Sequence, residues 1–298
     1  TNRQLFGGAA VNGRFYAIGG FNPGILSTVE EYDPATDIWT TRNPMPTARY
    51  EISAAVLNGK IYVAGGWTGV NSNAMEEYDP LANSWAVKSP LPAARYAAAM
   101  AAANNRVYII GGGGGPNIPT EYNPGTDTYA GKLNMPTMRY ELSAATVNGK
   151  IYALGGTIGG PALNTVEEFD PVGNTWAAKN SMPTARQQMG VAVVDGRIYA
   201  IGGMDAGGAK SAVVESYDPA TDSWRAESPL TIARYGLRAG AIRGRLYAAG
   251  GNDGTAATKV LEEGAVAPGM LPGATFSFTV SGQVGEVCQS TVVGNTVW

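Results

Sequence analysis

Six arginines keep a fixed distance from six glycine pairs. Arg3, Arg49, Arg95, Arg139, Arg186 and Arg234 each stand 16 residues before the first glycine of Gly19-Gly20, Gly65-Gly66, Gly111-Gly112, Gly155-Gly156, Gly202-Gly203 and Gly250-Gly251. The next residues are Gln4, Tyr50, Tyr96, Tyr140, Gln187 and Tyr235, and beyond them come Glu51, Glu141 and Gln188. Arginine recognises carboxylate or phosphate with a planar fork, and tyrosine stacks on sugars or hydrogen-bonds to them. One expectation is therefore an anion-selective site built from Arg49, Arg95, Arg139, Arg186 and Arg234 with Tyr50, Tyr96, Tyr140, Tyr235, Glu51, Glu141 and Gln188. The structural alternative pairs each arginine with a later glutamate: Glu31, Glu77, Glu121, Glu168, Glu215 or Glu263. Neighbouring unpaired arginines about 10 Å apart repel by roughly 0.8 kcal/mol at an effective dielectric of about 40, which favours pairing. Trp67 follows the second glycine pair, has no counterpart in the other copies, and is a further ligand-contact candidate.

The 298 residues contain no histidine. That rules out a Ser-His-Asp triad, a histidine-activated cysteine and an imidazole metal site. Acid–base work by carboxylates, for example Glu51 with Glu141, stays open. Gly111 to Gly115 form a five-glycine run, but no Lys-Ser or Lys-Thr follows, so no phosphate loop and no cofactor is expected. A net charge of −3 without a basic run argues against nucleic acid as a partner. Apolar segments are short and alternating, so no membrane span is expected.

The glycine pairs recur at intervals of 46, 46, 44, 47 and 48 residues. Each copy repeats the same parts in order. An apolar run leads into an Asn-Gly or Asp-Gly hairpin turn, such as Asn58-Gly59 or Asp195-Gly196. An alternating strand such as Lys60-Ile61-Tyr62-Val63-Ala64 then ends in the glycines. After a variable loop comes Val29-Glu30-Glu31-Tyr32-Asp33-Pro34 or its echo, then Trp39, Trp85, Tyr129, Trp176 or Trp224, and finally a turn such as Met45-Pro46. A unit of this size cannot bury its own faces and must stack on its neighbours. Four short strands per unit predict an all-β fold, a six-bladed propeller with four antiparallel strands in each blade. The tryptophans are expected to pack between blades.

These parts resemble the kelch repeat family over residues 1–264, six times. The resemblance implies the propeller fold. Galactose oxidase, a copper enzyme with kelch repeats, needs histidine ligands, so its activity is excluded. Bacterial N-acetylneuraminate epimerases share the repeat class and act on an anionic sugar, which keeps such an enzyme as an alternative dependent on the arginine mouth. The leading expectation is a non-catalytic propeller that binds protein or glycan through the face bearing the variable loops. The third possibility is an assembly subunit self-associating through its tail.

The ends break the pattern. Thr1 aligns with Thr47, inside a repeat, which suggests a trimmed N-terminus. The sixth copy loses Tyr-Asp-Pro at Gly264-Ala265-Val266, so its outer strand must come from the tail, best from residues 275–280, or from residues upstream of Thr1. Residues 265–298 are read as a β-rich tail that closes the blade, serves as a linker or starts a further module. Residues 275–298 resemble the opening of a small β-sandwich module, with Trp298 not expected to be the natural end. Few lysines, abundant alanine, glycine and threonine, and a lone Cys288 lean towards an exported or surface-attached prokaryotic protein.

Overall fold

The computed structural model describes residues 1–115, 118–265 and 278–281. They form six antiparallel four-stranded sheets, each running in chain order from inner to outer strand. The blades cover residues 7–42, 53–88, 99–115 with 118–131, 143–179, 190–227, and 238–265 with 278–281. Each inner strand lies against the next, and the sixth against the first, so the ring closes. In blade 2, for example, Lys60–Ala64 alternates against Ser53–Leu57 on one side and Met75–Asp79 on the other, and Ser84–Lys88 is outermost. Asn58-Gly59 turns the first hairpin with φ of 52° and 76°, the left-handed geometry that this pair tolerates.

No blade buries its faces alone. Tyr78 of blade 2 sits edge-on to Tyr16 of blade 1 at 5.9 Å and tilts over Trp85 at 4.9 Å. The Trp85 indole donates to the Asn43 carbonyl of the preceding unit at 2.9 Å, as Trp176 and Trp224 do to Leu133 and Asn180. Trp85, Trp176 and Trp224 therefore pack and hydrogen-bond between blades, and Trp39 packs against the core shared by blades 6 and 1. Apolar plugs from the connecting segments, Met45, Leu91, Met135, Met182 and Leu230, complete five of the inter-blade cores.

The sixth blade takes its outer strand, Phe278–Ser281, from the tail. Gly264 stands where the other blades have tyrosine or phenylalanine, and a Cβ there would lie 2.8 Å from the Phe278 ring. Phe278 fills the space left by the missing aromatic. The propeller thus extends past residue 264, and Phe278–Ser281 serves as the outer strand of its own blade. Cys288 and the rest of the tail lie outside the described residues. At the seam between blades 6 and 1, a cavity of about 380 Å³ lined by Phe6, Trp39 and Leu261 lies beside Thr1 and Arg3.

Candidate functional site

The glycine pair, the arginine and a glutamate form one joint between successive blades. Arg49 shows how it works. Its backbone is fixed to blade 1, with its N–H donating to Leu26 O at 3.1 Å and its carbonyl accepting from Gly20 N at 2.9 Å. Its side chain enters blade 2 and donates to the carbonyls of Gly65 and Ala74 at 2.7 and 2.9 Å and to Glu76 at 2.6 Å. The first glycine of each pair needs positive φ and has no room for a Cβ, because the next arginine's carbonyl would lie 2.2–2.9 Å from it. Arg3 repeats the arrangement from blade 6 into blade 1 and fastens the ring.

The expectation of arginines exposed at the mouth is therefore corrected. Arg49, Arg95, Arg139, Arg186 and Arg234 are at most 2% exposed, with their guanidinium groups spent on carbonyls and, except at Arg95, on carboxylates inside the joints. The pairing partners also differ from the expected set by one position. They are Glu30, Glu76, Glu167, Glu215 and Glu262, and only Glu215 agrees. The arginine arrives from the preceding blade and meets the face of the third strand that looks back at that blade. The following glutamate points the other way, where Glu31 accepts from Tyr16 and Arg42, and Glu77 pairs with Lys60 and Lys88.

Two residues after each arginine the chain turns to line the axis. Leu5, Glu51, Ala97, Glu141, Gln188 and Gly236 all have φ between 50° and 64°. Their amides form a closed circle of hydrogen bonds: Glu51 N–H to Leu5 O at 2.7 Å, Ala97 to Glu51 at 2.9 Å, Glu141 to Ala97 at 2.9 Å, Gln188 to Glu141 at 3.0 Å, Gly236 to Gln188 at 2.9 Å, and Leu5 to Gly236 at 2.8 Å. Left-handed geometry costs about 1–2 kcal/mol at each non-glycine, and the closed circle offsets it.

This turn brings Glu51, Glu141 and Gln188 around one axial cavity with Ser53, Ser143 and Arg238. Arg238 was not anticipated. It opens the sixth inner strand at a position held by Gly7, Ser53, Ala99, Ser143 and Gly190 in the other blades. A large cation in a column of small residues was the available signal. Gly8 makes room for it, since a Cβ there would fall 2.4 Å from Arg238 Cβ. Arg238 donates to the carbonyls of Leu237 at 2.8 Å and Ile52 at 3.2 Å. Burial draws its pKa down to about 10, against the pull of Glu141 and Glu51.

Burial, reinforced by Glu141, lifts the Glu51 carboxyl to about 7, and burial also raises Glu141. The sign of the linkage follows. Glu51 holds its proton more tightly in the folded chain than at its ordinary value of 4.5. This contribution to stability is complete below pH 4.5 and is lost as pH rises through 7. The full shift amounts to about 3 kcal/mol, reduced to about 2 by solvent screening in the channel. Glu51→Gln should accordingly be about 2 kcal/mol more stable than the unsubstituted chain at pH 8 and nearly equal to it at pH 4. Urea unfolding across that range checks it, and parallel profiles would exclude Glu51 as the titrating group.

Above the circle, on the face with the variable loops, the residues after the arginines bridge to those after the glycine pairs: Tyr50 to Trp67, Tyr96 to Gly113, Tyr140 to Thr157 and Tyr235 to Asn252. An aromatic belt results. Phe21 and Tyr50 lie 5.2 Å apart, Trp67 meets Tyr96 edge-on at 5.8 Å, and Tyr96 meets Tyr140 at 6.2 Å. All are partly accessible. Burial, with Glu51 and Glu141 beneath, raises the Tyr50 and Tyr140 hydroxyls. The structure thus brings Tyr50, Trp67, Tyr96 and Tyr140 to the mouth, sets Glu51, Glu141 and Gln188 beneath them, and withdraws the arginines into the joints.

A search of the curated proteins found no match. Among solved structures the chain is similar to one described as the structure of YjhT, with a TM-score of 0.79 and 16% identity over 94% of this chain and 98% of that one. At that identity the likeness shows the fold alone. The family model described as Kelch motif matches residues 2–46, 48–92, 138–183 and 185–231. The third unit, where Thr120 replaces the pairing glutamate, and most of the sixth fall outside these spans. The matched spans exceed half of the sequence and coincide with the repeated joints, so the chain belongs to the kelch-motif family.

Proposed function

We propose that this kelch propeller binds a protein or glycan non-catalytically through its loop-bearing face, outside the cell or at its surface. The carrying observation is the contrast between the belt and the space beneath it. Phe21, Tyr50, Trp67, Tyr96 and Tyr140 offer partly accessible aromatic surface amid loops that differ in every blade, the kind of surface on which a rigid scaffold presents recognition. The polar cavity under it holds only about 20 Å³, space for a single water and not for a substrate. The anionic-sugar enzyme reading depended on arginines at the mouth, and these are buried. The exported location rests on composition.

Selection from a random-peptide phage library and a glycan array tests the proposal, with the unsubstituted chain and Trp67→Ala side by side. The expected result is ligands whose affinity falls at least tenfold (about 1.4 kcal/mol) on Trp67→Ala. Ligands bound equally by both proteins, or none from either collection, would overturn it.

A further inference from the structure

The joint between blades 2 and 3 lacks its carboxylate. Five of the six buried arginines meet a glutamate at the same third-strand position, Arg49 with Glu76 at 2.6 Å and Arg186 with Glu215 at 2.7 Å among them. At Arg95 that position is Thr120. Arg95 is 2% exposed, and no carboxylate lies within 4 Å of it among the described residues. It donates to Ile118 O at 3.1 Å, Thr120 Oγ1 at 3.4 Å and Gly111 O at 3.3 Å, the last longer than the 2.6–2.9 Å of the matching glycine bond in the other five joints.

The second half of the carboxylate's setting has changed as well. In the other joints the residue two before the arginine also binds the glutamate. Thr47 and Thr184 donate through their hydroxyls at 2.7 Å, and Thr137 and Ile232 through backbone N–H at 3.0 and 3.3 Å. Here that residue is Ala93, which keeps the N–H and lacks the hydroxyl. Threonine is shorter than glutamate by the carboxylate itself. The guanidinium therefore stands where the other joints hold a carboxylate, and no carboxylate among the described residues pairs with its charge. Burial lowers the Arg95 pKa with no opposing carboxylate, yet a guanidinium remains charged at neutral pH. An isolated buried charge is costly, and a counter-ion removes most of that cost.

We propose that the Arg95 joint binds a free monovalent anion of carboxylate size, chloride or formate, which replaces the missing glutamate as a structural ligand. Binding to the folded chain alone links stability to anion concentration. Thermal unfolding at constant ionic strength, with gluconate exchanged for chloride, tests it. The expected result is a saturable rise in Tm of about 3–6 °C for the unsubstituted chain. Thr120→Glu, which supplies a tethered carboxylate, should abolish the rise and match the chloride-saturated Tm. No rise in the unsubstituted chain, or an equal rise in Thr120→Glu, would overturn the proposal. Crystals soaked in sodium bromide give a test without a variant. An anomalous peak beside the Arg95 guanidinium supports the site, and its absence at saturating bromide refutes it.

Discussion

Arg186→Met should lose about 3–5 kcal/mol of stability, because it strands a buried glutamate in the joint between blades 4 and 5. Arg186 is fully buried and Glu215 is 3% exposed. The side chain donates to Ala200 O at 3.2 Å, Gly202 O at 2.9 Å, Val213 O at 2.9 Å and Glu215 at 2.7 Å. Methionine fills much of the volume but leaves three carbonyls without this donor and Glu215 with only the Thr184 hydroxyl. Arg186→Met/Glu215→Met removes the orphaned charge and should recover at least about 1 kcal/mol, the remaining loss belonging to the carbonyls. Arg95→Met in a gluconate buffer supplies the contrast. No carboxylate is stranded there, so its cost should be about half that of Arg186→Met. Urea unfolding of the three variants decides the matter. Equal losses for Arg95→Met and Arg186→Met would show that carbonyl contacts alone hold the joints.

The same joints explain what the sequence disclosed and what it withheld. Blade number was legible because each joint uses one arginine and one glycine pair at fixed spacing, so six copies imply six joints; which segment completes the sixth blade was not, because the repeat pattern stops at Gly264. Which glutamate meets the arginine was not legible. In Val29-Glu30-Glu31-Tyr32 the two acids face opposite sides of the strand, and choosing between them requires knowing from which neighbour the arginine arrives. Once the arginine is seen to come from the preceding blade, Glu30 is the one within reach, and Glu31 goes to Tyr16 and Arg42. Glu51 and Glu141 belong to different units, so their spacing in the chain does not show that they meet. The left-handed turn that closes the amide circle brings them onto one axis, and periodicity carries no trace of that turn. Arg238 broke a column of small residues, a signal that only aligning the six inner strands by register exposes.

Gly155→Ala should cost at least about 3 kcal/mol, far more than the loss of glycine's freedom alone. Gly155 has φ +59°, and a Cβ there would fall 2.2 Å from the carbonyl oxygen of Arg186, with Met182 Cε and Met189 Cε both at 3.0 Å. The methionine tips can move, but the carbonyl cannot do so freely. It accepts the Gly156 N–H at 3.0 Å, and it belongs to the residue whose side chain pins the next blade. Relieving the contact would therefore lengthen the backbone bond and pull the Arg186 guanidinium away from Glu215. Gly196→Ala separates this clash from the left-handed penalty. Gly196 has φ +74° but nothing within 4 Å of its Cβ position, so alanine there should cost only about 1 kcal/mol. Chemical denaturation of both variants compares the two costs directly. A Gly155→Ala variant no weaker than Gly196→Ala would mean that the blades can part by about 1 Å without losing the pin, and the glycine pairs would then owe their recurrence to backbone conformation rather than to the joint.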